Sequence, residues 1–118
     1  MQRTKQYEWS NRLKRSPSAL TAEMLQKDGW LVWTVERWIP GARIRVDLFG
    51  FLDQIAIRDG EVIGLQPTSW ANVPARVKKI ADSEHIGEVR KLGWTLWVIG
   101  WKWDPKAHEW KHRIVDVS

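Results

Sequence analysis

The chain of 118 residues is of single-domain size, and with 43% hydrophobic residues it can bury one compact core. It has no cysteine, which excludes disulfides, thiolate zinc sites and thiol nucleophiles. The net charge of +5 is concentrated at the start: residues 1–15 carry Arg3, Lys5, Arg12, Lys14 and Arg15 against Glu8 alone, and the remainder is close to neutral.

That basic arm (1–15), with Tyr7 and Trp9 inside it, suits phosphate contact and base stacking, and equally suits a solvated terminus. Residues 16–118 are expected as one domain. No apolar run approaches a membrane span and residues 1–15 lack a signal-peptide segment, so a soluble, intracellular chain with no membrane partner is expected.

In chain order, Ser16 and Pro17 open a helix as N-cap and first helical residue, Ala19, Leu20, Ala22, Met24 and Leu25 give it an apolar side, and Gly29 closes it. Trp30–Trp38 reads as a strand, Pro40-Gly41 as a turn, and Arg43–Arg58 as a long strand in which Gly50 marks a bulge or a close backbone approach. Asp59-Gly60 is a two-residue hairpin turn, and Glu61–Thr68 is the return strand. Asn72 caps a helix with Val73, Val77 and Ile80 on one side. A second helical piece follows from Ser83 to Leu92, stopped by Gly93. Trp94–Trp103 and Trp110–Val117 are strands around Asp104-Pro105. The class is α/β. Most of the ten tryptophans are expected in the core, where each adds a large apolar body.

With Asp59 and Gly60 as the turn, Arg58 faces Glu61 and Asp53 faces Gln66. Opposed residues share a face, so Asp53, Gln66 and Thr68 point to one side of the sheet, with Asp47 if Gly50 does not flip it. A carboxylate, an amide oxygen and a hydroxyl, with the Pro67 carbonyl in addition, make an oxygen set that suits Mg²⁺ or Mn²⁺. The same residues also make an ordinary polar cross-strand pair.

The segment from Asp53 to Gln66-Pro-Thr68 resembles the signature hairpin of the PD-(D/E)XK nuclease superfamily, in which an Asp on one strand faces a (D/E)-x-K triplet on the next. The preceding helix, the Gly29 stop and the strand meander resemble the core of archaeal-type Holliday junction resolvases. Val35-Glu-Arg-Trp38, Ile44-Arg-Val-Asp-Leu-Phe-Gly-Phe-Leu-Asp53 and Gln66-Pro-Thr-Ser69, followed by Asn72, Arg76 and Lys79-Ile80, resemble a group of phage and bacterial proteins in that superfamily. The likeness spans about residues 16–110.

The resemblance implies a restriction-endonuclease-like αβββαβ core with a mixed sheet flanked by helices. It implies a Mg²⁺-dependent endonuclease acting on DNA, branched DNA such as four-way junctions included. The protein would act as a homodimer in the cytoplasm, at the nucleoid or in a phage-infected host cell. Asp53 takes the place of the principal metal ligand and Gln66 that of the second acid. Thr68 occupies the lysine position and brings no positive charge, so charge must come from elsewhere (Arg76, Lys78, Lys79 or Lys102), or the chain is a weak or inactive nucleic-acid-binding module.

Glu23 has the wrong spacing to Gly29 for the superfamily's helical glutamate. Glu36 is the substitute: counting across Pro40-Gly41 sets it opposite Arg45 and near Asp47, as a metal ligand or as a salt-bridge partner of Arg43 or Arg45. Ser69, Asn72, Arg76 and Lys79 are candidate DNA contacts, with Asn72 also a cap. A third reading, an accessory subunit that binds protein, would show as tryptophans exposed in a patch on the last strands. His85, His108 and His112 have no metal-ligand spacing and are assigned to the surface or to a DNA-facing side.

Overall fold

The structure, a computed structural model, describes residues 15–118. Helix α1 (Pro17–Lys27) begins where Ser16 and Pro17 require it: the Ser16 hydroxyl accepts the Ala19 N–H at 3.1 Å, and proline fills a position whose N–H would have no helical partner. Gly29, at φ +85°, then turns the chain into the first strand. The buried face is Leu20, Thr21 and Leu25, with Ala19 exposed, so it is rotated from the expected stripe. Thr21 can be buried because its hydroxyl accepts the Trp101 indole N–H at 2.9 Å.

Both strands expected before the hairpin are cut in two. Trp30–Trp38 becomes β1 (Leu31–Thr34) and β2 (Arg37–Ile39), and Arg43–Arg58 becomes β3 (Ile44–Val46) and β4 (Gln54–Arg58). With β5 (Glu61–Ser69), β6 (Thr95–Asp104) and β7 (Glu109–Asp116), strands β1 and β4 form a sheet ordered β1-β4-β5-β6-β7, while β2 and β3 form a separate ribbon. The first cut is held by the Asp53 carbonyl, which accepts the N–H groups of Val35 at 2.9 Å and Glu36 at 3.2 Å. At the second, Leu48 and Leu52 exchange backbone bonds at 2.9 and 3.0 Å around Phe49 and Gly50, both at positive φ. Gly50 therefore serves a tight turn and not a strand bulge.

The β4–β5 hairpin has the expected register, from Arg58 opposite Glu61 to Gln54 opposite Leu65. Asp59 and Gly60, at φ +50° and +79°, are the two left-handed residues that a type I′ turn needs. The ladder gains one more bond, Asp53 N–H to the Leu65 carbonyl at 2.9 Å, and stops. Residue 67 lies on the same side of β5 as Leu65 but is a proline with no N–H to offer Leu52. Leu52 bonds to Leu48 instead, and the chain before Asp53 leaves the sheet.

β5 and β6 are parallel, joined through a 3₁₀ turn (Trp70–Asn72), α2 (Val73–Ala81) and α3 (Ile86–Arg90). The result is an α/β fold with a mixed five-stranded sheet between helices. Leu20 and Leu25 of α1 pack on one face with Trp30, Ala56, Leu65, Ile99 and Trp101, and α2, α3 and the 48–52 turn cover Leu96 and Val98 on the other. Of the described tryptophans Trp30 and Trp101 are buried and Trp94, Trp97 and Trp110 are half-buried against the core, whereas Trp33 and Trp38 are 69% and 53% exposed, so the expected tryptophan core is met in part. Among the described residues no helix is long and apolar enough to cross a membrane.

Gly100 decides how closely the β5–α2 link approaches the sheet. A Cβ there would lie 2.2 Å from Val73 Cγ2 and 3.1 Å from the Trp70 Cα, the second contact being to backbone. Gly100→Ala is expected to lower unfolding free energy by about 1–3 kcal/mol, the usual range for overpacking, measured by urea titration. An unchanged midpoint would show that the link is free to lift.

Candidate metal centre

Three carboxylates meet where β4 begins. Glu36 sits in the β1–β2 link, Asp47 follows β3, and Asp53 precedes β4; one oxygen from each lies within 4.8 Å of the others. Asp53 is brought there by the hairpin register, at the level of Gln66. The Gln66 amide Nε2 donates to Asp53 Oδ2 at 3.0 Å, so the two side chains share a face as the sequence requires.

Glu36 and Asp47 arrive by a different register from the expected one. Residues 40–43 form the turn of the ribbon, and Arg37 pairs with Val46, Trp38 with Arg45 and Ile39 with Ile44. The longer turn sets Glu36 level with Asp47, not opposite Arg45. Arg45 nevertheless reaches Glu36 Oε1 at 2.8 Å, so Glu36 is at once a member of the cluster and an ion-pair partner.

Electrostatics make this cluster costly without a counter-ion. The Asp53 carboxyl is pushed up to about 7, first by burial, then by its hydrogen bond to Asp47 and the like charges of Asp47 and Glu36; the Gln66 amide works the other way. Two oxygens here, Asp53 Oδ1 and Gln66 Oε1, are buried with no hydrogen-bond donor, and Gln66 is only 2% exposed. Buried acceptors normally have a partner, and an all-oxygen set with excess negative charge fits a hard divalent cation. The Pro67 carbonyl is less available than expected, because Gln66 Nε2 donates to it at 3.2 Å.

Thr68 is 6% exposed, one alternation beyond Gln66 on the same face and opposite Gly100 of β6. Ser69 and Asn72 are exposed; Asn72 occupies the N-cap position of α2 but makes no capping bond. Arg76 is half-buried one turn further along α2 and Lys79 is exposed, while Lys78 is paired with Asp82 at 2.7 Å. Arg15 pairs with Glu23, and Arg3, Lys5, Arg12 and Lys14 lie outside the described residues. All three histidines are exposed. Of the two arginines that the sequence offers as partners of Glu36, Arg45 is the one that pairs with it, whereas Arg113, which stands in no pattern that singles it out, is missed by sequence reasoning. The apolar concavity under Leu31, Ile57 and Val62 lies at the opposite end of the hairpin and takes no part in the site.

Comparison with known protein families, curated proteins and solved structures yields no match.

With its pKa raised from 3.8 to about 7, Asp53 holds a proton in the folded chain through a range where the unfolded chain has lost it. Metal-free stability should therefore fall as pH rises from about 4 to about 7, by an amount absent from Asp53→Asn. Urea unfolding in EDTA across that range checks this; parallel profiles for the two proteins would contradict the assignment.

Proposed function

We propose that the chain is a divalent-metal-dependent endonuclease that hydrolyses DNA phosphodiester bonds on a PD-(D/E)XK-type fold, with branched DNA such as four-way junctions as its substrate class. The observation that carries this reading is the meeting of Asp53, Glu36 and Asp47 beside the buried, unpartnered Gln66 oxygen. The element order supports it: a helix, antiparallel strands with the site hairpin in the middle, then a helix leading to a parallel strand.

Asp53, Glu36, Asp47 and the Gln66 oxygen would hold Mg²⁺ or Mn²⁺. When bound, such an ion polarises a phosphate oxygen and lowers the pKa of water near it. The protein's own part is to keep the oxygens dry and fixed: the hairpin turn sets Asp53 against Gln66, and Arg45 holds Glu36. Arg76 on α2 and Lys102 on β6 would then steady the DNA backbone.

Thr68 supports a second reading, a nucleic-acid-binding module with weak or no hydrolysis. It is buried and uncharged where the resembled superfamily carries a lysine, and a hydroxyl cannot stabilise a developing anion as an ammonium does. Either reading includes a second copy of the chain; the exposed Leu31, Trp33 and Ile57 beside the β1 edge offer apolar surface for it.

A panel of four-way junction, flap, duplex and single-stranded DNA with Mg²⁺ or Mn²⁺ separates the readings. Cleavage of at least one substrate is expected, falling at least about 100-fold in Asp53→Asn, as for loss of a preorganised charge-stabilising group. Metal-dependent cutting at an unchanged rate by that variant would reject the site; binding without cutting would favour the second reading.

A further inference from the structure

Two positive charges without an acidic partner stand on the same sheet face as Asp53, two and three strands away from it, organised by one indole. Lys102 Nζ lies 4.1 Å from the Trp70 ring centroid and Arg113 Cζ 4.9 Å from it. Arg113 Nη2 also donates to the Trp70 carbonyl at 2.7 Å, which fixes the guanidinium, while its Nε is buried with no acceptor. Among the described residues neither cation has a carboxylate within ion-pair distance.

The sheet register places this group. Thr68 pairs with Gly100, and Gly100 with Arg113, so the three form one row across β5, β6 and β7. Lys102 is one alternation further along β6, on the same face. The bare Gly100 lets the Trp70 backbone pack onto the face of β6, and the indole then lies against both cations. Gln66, which bonds Asp53, is one alternation from Thr68 in the other direction.

We propose that Lys102 and Arg113, gathered around Trp70, form a seat for a phosphodiester of the DNA backbone on the same sheet face as the acidic cluster. The identification of the anion as DNA rests on the nuclease reading. Cation–indole contacts offset part of the repulsion between the two charges but leave their net charge uncancelled, and an anion completes the group. Lys102 is the exposed contact, and Arg113 is the fixed charge behind it.

The test is binding of fluorescently labelled duplex and four-way junction in EDTA from 50 to 200 mM salt, so that neither cleavage nor a cation enters the readout. Lys102→Met and Arg113→Met should each weaken binding roughly 3- to 10-fold at 0.1 M salt and lower the slope of log affinity against log salt by about one. Arg113→Lys should keep most of the slope, which a purely structural role for the guanidinium would not explain. Because Lys102 is exposed, Lys102→Met decides the matter even if Arg113→Met does not fold: an unchanged affinity and slope in that variant overturns the seat. Loss of cleavage capacity in every substrate, with this salt signature intact, would reject the nuclease reading and leave the seat standing.

Discussion

The pairing of Asp53 with Gln66 across one short hairpin is the constraint on which the site depends. A type I′ turn at Asp59-Gly60 leaves a single register, and a slip of one residue would turn Asp53 to the other face of the sheet, under α1. The same hairpin determines where pairing ends. Pro67 withholds a donor, Leu52 turns back on Leu48, and the Asp53 carbonyl is left to take the Val35 and Glu36 N–H groups. One missing hydrogen thus contributes to three events: release of the strand before Asp53, capture of the β1–β2 link, and delivery of Glu36 beside Asp53.

What gathers there is unfavourable alone. A half-buried carboxyl surrounded by two others keeps its proton close to neutral pH, and the neighbouring amide turns its nitrogen to the acid and leaves its oxygen without a donor. Such strain is ordinary at sites that gain their missing charge from a ligand. Arg45 offsets part of it from the rim. The cations at Trp70 stand on the same face as Asp53 and are not paired with its cluster, so opposite charges remain separated along the sheet.

Much of this was legible in the residues. Ser16-Pro17, Gly29, Asp59-Gly60 and Gly93 punctuate the chain as their backbone chemistry requires, and turn arithmetic alone placed Asp53 against Gln66. Less legible were the partners of each strand. Trp30–Trp38 and Arg43–Arg58 have strand propensity throughout, and propensity does not reveal that two different sheets claim their halves. Two tryptophans, Trp33 and Trp38, fall outside the core for a related reason. Trp33 lies on the edge strand, beyond α2, which packs against β5 and β6, and Trp38 lies on a ribbon with no second layer. The ribbon's four-residue turn was read as two, yet Glu36 still reached the cluster, because a shift of two residues keeps a side chain on the same face.

The central claim is that the oxygens at Asp53 and Gln66 are arranged for a cation. Crystals grown near neutral pH and soaked in Mn²⁺, measured at a wavelength where manganese scatters anomalously, address it most directly. The account predicts one anomalous peak about 2 Å from an Asp53 oxygen and from Gln66 Oε1. A map with no peak there, and Asp53 still hydrogen-bonded to Asp47 as a neutral acid, would contradict it.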